Sequence, residues 1–166
     1  MGEFYGRVQG YVRMRVPEGD CEDVVGEIFL RALERQGEVR GDALPWLFAV
    51  ARSRVAQYYR DREAQVTAAA KSEAPREDRP AGAPGLAALE RLERAEFCVL
   101  LRSKMNQVLS ETERDVIAFK FTDGLGNAEI ARILEVTPNH LGVILHRALG
   151  RLRQAMVEEV TNVVVP

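Results

Sequence analysis

Apolar positions along this chain recur at a helical period, in runs separated by proline, glycine and charged residues. Residues 4–16 place Phe4, Val8, Tyr11 and Val12 on one face, and Pro17, Gly19 and Asp20 end the run. From Cys21 the apolar positions are Val24, Val25, Ile28, Phe29, Ala32 and Leu33, a rhythm that predicts one buried helical stripe. Residues 36–42 hold two glycines and mixed charge, which predicts a loop, and Pro45 suits the first turn of the helix that follows. That helix, 46–62, buries Leu47, Val50, Ala51, Val55 and Tyr58 and shows Arg52, Ser53, Gln57 and Arg60 on its other side. These helices make a first domain over 1–62.

Residues 63–85 break the pattern with three prolines, two glycines and few large apolar side chains. Such a segment cannot bury enough surface to fold alone and reads as a flexible linker, its alanine-rich start suited to prolong the preceding helix. A free chain of this length spans roughly 25–30 Å. Helical spacing resumes at Leu86 with Leu89, Leu92, Phe97, Leu100, Leu101 and Met105. Ser110-Glu111-Thr112-Glu113 predicts a capping box, opening a helix with Val116, Ile117, Phe119 and Lys120 that ends near Asp123-Gly124. A short helix covers 127–134. Thr137-Pro138 supplies an N-cap followed by proline at the first helical position. The last helix buries Leu141, Ile144 or Leu145, Ala148, Leu152 and Met156, and 161–166 is expected to fray. The second domain is 86–160. The fold class is therefore all-α, with two small helical domains joined by a flexible linker.

Composition agrees with a folded helical protein, at 46% hydrophobic and 29% charged residues. Charge changes the picture more. The net charge is −2, with ten Lys/Arg against ten Asp/Glu in 1–62 and ten against eleven in 86–166. A free-standing DNA binder usually carries a positive surplus, because phosphate contacts supply most of its affinity. Neither half is expected to hold DNA tightly alone. Cys21 and Cys98 are isolated, without a C-x-x-C pair or a histidine at ligand spacing, so two reduced thiols are expected and no zinc or other metal. The apolar runs are too short to cross a bilayer, and Glu3 stands where a signal peptide is basic, which predicts a cytoplasmic protein without membrane insertion.

Residues 127–153, NAEIARILEVTPNHLGVILHRALGRLR, have the spacing of a helix-turn-helix. Ala131 is the small residue that lets the two helices approach, and Val136 and Leu141 fill the turn. The exposed side of the last helix offers Asn139, His140, Val143, His146, Arg147 and Arg151 to a major groove. A plain helical hairpin is the simpler alternative for this segment alone. Trp46 fits a core anchor better than a base-stacking platform, and the adjacent Tyr58 and Tyr59 cannot share a face, so one is expected in the core and the other free for a base or phosphate. The two histidines read as groove-side residues, and Asp23 with Glu27, one turn apart, as a solvated or partner-facing pair. No glycine-rich phosphate loop, nucleophile elbow or metal-ligand cluster is present, so neither an enzyme nor a cofactor is expected.

Residues 46–62, WLFAVARSRVAQYYRDR, read together with 127–153 in this order, resemble the two blocks of a bacterial sigma factor of the small extracytoplasmic-function (ECF) class. The resemblance implies core RNA polymerase, promoter DNA and an anti-sigma protein as partners. It assigns Asp23, Glu27 and Phe29 to polymerase contact and Arg52, Ser53, Gln57 and Arg60, with the loop 36–42, to melting and holding the downstream (−10) element. Asn139, His140, Val143, His146, Arg147 and Arg151 then face the upstream (−35) element. The chain departs from the family pattern at Gly26 for Gln, Ser53 for Asn, Gln57 for Asp, Gly126 for a Ser cap and Glu135 for Gly. Gly142 and Ile144 stand where basic residues are usual. Two further readings remain: a helix-turn-helix regulator that binds DNA without polymerase, and a sigma-like interaction protein that reads DNA poorly.

Overall fold

A computed structural model describes residues 2–69, 86–121 and 125–164 of the protein. Its described residues form seven α-helices and no strand: α1 Gly2–Arg15, α2 Glu18–Glu34, α3 Ala43–Ala69, α4 Leu86–Val108, α5 Glu111–Lys120, α6 Asn127–Ile133 and α7 Pro138–Val164. Most boundaries follow local chemistry. Pro17 precedes α2, whose first turn carries Glu18 and Asp20 and whose last carries Arg31, in the sense that complements the helix dipole. Ser110 caps α5 with its hydroxyl, accepting from the Glu113 amide at 3.3 Å, while the Glu113 carboxylate accepts from the Ser110 amide at 2.9 Å.

Several boundaries differ from the sequence expectation, among them the starts of α1, α2 and α3, each two to three residues earlier. The loop 36–42 contains a short 3-10 turn, Gln36–Glu38. Helix α3 runs to Ala69, so 63–69 of the expected linker are helical, as the alanine-rich sequence allows. Helix α5 stops at Lys120, earlier than expected, with Phe121 as its cap; Asp123 and Gly124 lie outside the described residues. Helix α7 continues to Val164, whereas 161–166 was expected to fray: 161–164 carry no glycine or proline to end it, and 165 and 166 lie outside the described residues. The rest of the linker, 70–85, and the side chains of Leu89 and Leu92 lie outside the described residues.

Helices α1, α2 and α3 pack against one another, and α4, α5 and α6 pack around α7. The two groups also meet: α1 lies against α5 and α3 against α6. One apolar cluster runs through this junction, from Val8, Tyr11 and Phe48 to Val116, Phe119, Ile130 and Leu141, and a second cluster under α4 holds Met105, Leu109, Ile117, Ala148 and Leu152. The cause is visible in α5. Val116, Ile117, Ala118 and Phe119 are consecutive and all buried, and four consecutive helical positions cover more than one face. Ile117 turns toward α4 and α7, while Phe119 stacks on Tyr11 at 4.6 Å and meets Phe48 edge-on at 5.0 Å. No described helix is long and apolar enough to cross a membrane.

Candidate nucleic-acid interface

Helices α6 and α7 form the helix-turn-helix. Ala131 is buried at their crossing and Leu141 closes the turn from α7. The turn itself is a Schellman arrangement: the Val136 amide donates to the Ala131 carbonyl at 2.9 Å and the Glu135 amide to the Arg132 carbonyl at 3.2 Å. Glu135 reaches it with φ 55, the left-handed backbone expected where the family carries glycine. Gly126 caps α6, and the Glu129 carboxylate accepts from its amide at 2.9 Å, replacing half of the box that a serine would complete. Thr137 caps α7, accepting from the His140 amide at 3.2 Å. Ile144 and Leu145 both pack inward against the core, which resolves the sequence alternative in favour of both.

This geometry leaves Asn139, His140, Val143, His146 and Arg147 exposed along the first turns of α7. Arg151 is also exposed, but its guanidinium is held by the Glu113 carboxylate at 2.9 and 3.0 Å. The capping glutamate of α5 thus anchors a residue expected to face DNA.

On α3, Ser53, Gln57 and Arg60 share an accessible face, three and four residues apart. The Gln57 amide donates to Asp61 at 2.6 Å, and Arg60 donates to the Gln57 carbonyl oxygen at 2.9 Å, an ordered polar strip. Arg52 points elsewhere. Its Nε donates to Asp115 of α5 at 2.7 Å, and the side chain is only partly exposed. Arg54, which the sequence pattern did not single out, is nearly buried and pairs with Glu27, whose carboxyl is held below the ordinary range by that hydrogen bond. Neither Tyr58 nor Tyr59 is free for a base: both pack on the core, Tyr58 donating to Asp20 at 2.6 Å and Tyr59 to the Arg15 carbonyl. Side chains of this length can lean to the same side from adjacent positions, and their rings meet edge-on at 5.2 Å. Trp46 is half-buried against the core, as an anchor.

Of the residues expected to meet a protein partner, Asp23 is exposed, Glu27 is tied to Arg54, and Phe29 is half-buried and stacked on Tyr5 at 5.5 Å. Phe29 lines an apolar groove of about 570 Å³ with Phe4, Ala32, Leu33, Trp46 and Leu47. Leu30 and Leu33 of the same helix are exposed. Among the described residues, no group of three or more His, Cys, Asp or Glu could hold a metal ion. The thiols are free, Cys21 buried and Cys98 exposed.

The sequence reading also missed a buried polar cluster at the junction of the two halves. Asp115 and Arg15 are 1% and 2% exposed. Asp115 accepts from the Tyr11 hydroxyl at 2.6 Å, from Arg15 and from Arg52. Burial pushes the Tyr11 hydroxyl well above the ordinary tyrosine range, reinforced by the Asp115 charge and opposed by Arg15. The available signal was one acidic residue immediately before the apolar run 116–119.

Comparison with known proteins fits this arrangement. The sigma-70 region 2 family model matches residues 1–65, and the sigma-70 region 4 family model matches residues 104–152. No curated protein matches by sequence. Among solved structures, the sigma factor RpoE of Bartonella quintana, in complex with the anti-sigma factor NepR, is 17% identical with a TM-score of 0.61, over 93% of this chain and 92% of that one. CnrH, in complex with the cytosolic domain of CnrY, is 20% identical with a TM-score of 0.58, over 92% and 81% of the two chains. With region 2 on α1–α3, region 4 on the helices that build the helix-turn-helix, and the fold of sigma factors over nearly its whole length, the chain belongs to the sigma-70 family.

Proposed function

We propose that the protein binds core RNA polymerase and directs promoter recognition and melting. The observation that carries this reading is the pairing of the two sigma-70 regions in one chain, each with polar side chains on an accessible helix face. Residues 1–62 act as the polymerase-docking and −10 unit, 63–85 as the connection and 86–160 as the −35 unit. Asp23 and the apolar groove beside Phe29 receive the polymerase, and Glu27 braces that surface through Arg54. Ser53, Gln57 and Arg60, joined by Arg52 when it leaves Asp115, hold the −10 strand by pocket and phosphate contacts. Asn139, His140, Val143, His146 and Arg147 approach the −35 groove, with Arg151 near the phosphates. That the similar sigma factor RpoE is held by the anti-sigma factor NepR supports a protein of that kind as the inhibitor of this chain.

Run-off transcription with purified core enzyme and a genomic promoter pool tests the reading: discrete promoter-dependent transcripts are expected, and none at equal concentrations without the protein. A second reading, a sigma-like interaction protein that reads DNA poorly, is favoured by one observation. Gly142 and Ile144 remove two basic positions from the recognition helix, and Glu113 holds a third basic side chain, Arg151. Core binding without promoter-specific transcripts would select it.

A further inference from the structure

We propose that the packed arrangement is a closed state that the chain imposes on itself. In it, Asp115 of α5 latches Arg15 and Arg52 of the first half, and promoter engagement requires the latch to open. This inference rests on the sigma-factor reading above.

The partners of Asp115 carry the argument. All three side chains that donate to it, Tyr11, Arg15 and Arg52, come from α1 and α3, whereas Asp115 belongs to the half that carries the helix-turn-helix. In separated halves the carboxylate and both guanidinium groups would face water. An ion pair buried in this way is therefore a property of the closed form alone. Around it, the Tyr11, Phe48 and Phe119 rings are fully buried in mutual contact across the same junction. The rim is closed by Arg7 to Glu129 at 3.3 Å and Arg132 to Asp42 at 2.7 Å. Two parts assigned to the −10 element are thus engaged by the other half: Arg52 by Asp115, and the loop 36–42 through Asp42.

The closed form also cannot span a promoter. Elements two DNA turns apart are separated by roughly 70 Å, while α3 and α6 are in direct contact. The halves must part before both can be read. The latch suits a reversible device. Asp115 meets its two cations only while the halves are packed, so one change at Asp115 leaves both without that anion in the closed state and costs little in the open one.

Small-angle scattering on the full chain tests this. A compact protein of this length has a radius of gyration of about 15 Å, and two bodies parted by an extended linker give a value larger by about a third or more. The wild type is expected near the compact value and Asp115→Asn near the extended one, with unchanged helix content by circular dichroism. An extended wild type, or an Asp115→Asn variant as compact as the wild type, would overturn the proposal. Should Asp115→Asn lose helix content, a second variant decides. Arg7→Cys with Glu129→Cys, in a Cys98→Ser background, is joined by a thiol-cleavable crosslinker. Run-off activity is expected to be lost on crosslinking and restored on cleavage, and full activity while crosslinked would sink the idea. Absence of transcripts from the uncrosslinked wild type would instead count against the sigma-factor reading and leave the scattering result to judge the latch.

Discussion

Glu135 takes a left-handed backbone, φ 55, which disfavours any residue with a Cβ by roughly 1–2 kcal/mol. The Schellman turn between α6 and α7 demands it, and the sequence announced the conflict because glycine is usual there. Glu135→Gly should raise the unfolding free energy by about 0.5–1 kcal/mol, the relief being partly offset by the greater freedom of glycine in the unfolded chain. Urea denaturation measures it; a lower stability would show that the glutamate side chain contributes more than the strain removes. Tyr58 makes a pH-dependent prediction. Burial and its hydrogen bond to Asp20 push the hydroxyl up to about 12, against the opposing influence of Arg62. Because the folded value lies above the unfolded value of about 10, the stabilisation is complete below pH 10 and lost as pH rises through about 12. Ultraviolet titration should therefore show one fewer tyrosine resisting ionisation at pH 11 in Tyr58→Phe than in the wild type. Equal counts would refute the assignment.

At the scale of elements, α7 and α3 separate what periodicity tells from what it does not. Periodicity placed Leu141, Ala148 and Leu152 inside and Asn139, His140 and Arg147 outside, because a single helix face decides both. It also grouped Arg52 with Ser53, Gln57 and Arg60, and here it failed: Arg52 turns to α5, a neighbour that no local pattern reveals. For α7 the proposed function then predicts weak base reading. Each good bidentate base contact is worth ~1–3 kcal/mol of discrimination, and neither Gly142 nor Ile144 supplies one, Ile144 being packed on the core. Upstream recognition is then expected to rest on few base contacts and on DNA shape. In a promoter library, scrambling the −35 element should lower output modestly, and single changes in the −10 element should lower it more. The reverse order would mean that α7 reads bases well.

For the whole molecule, charge and packing point the same way. The halves are balanced, ten cations to ten anions and ten to eleven, and some of the cations are spent on pairs within the protein, among them Arg15, Arg52, Arg54 and Arg151. Little basic charge remains to attract phosphate. The isolated protein should give no specific band shift at physiological salt, whereas core enzyme with the protein should select promoters. Tight specific binding by the free chain would favour an autonomous regulator.

Helix content, the capping box at Ser110, the helix-turn-helix spacing and the exposed row on α7 were all determined by the sequence alone, since each depends on residues within a few positions of one another. What only the tertiary structure decided was the junction. That Asp115 meets Tyr11, Arg15 and Arg52, about a hundred residues away for two of them and 63 for the third, depends on how two amphipathic assemblies bury their remaining apolar faces. A helix such as α5, apolar at four consecutive positions, announces in its sequence that it has a second face to cover. It does not say which surface will cover it, because many apolar surfaces serve equally and only the complete set of packed neighbours selects one.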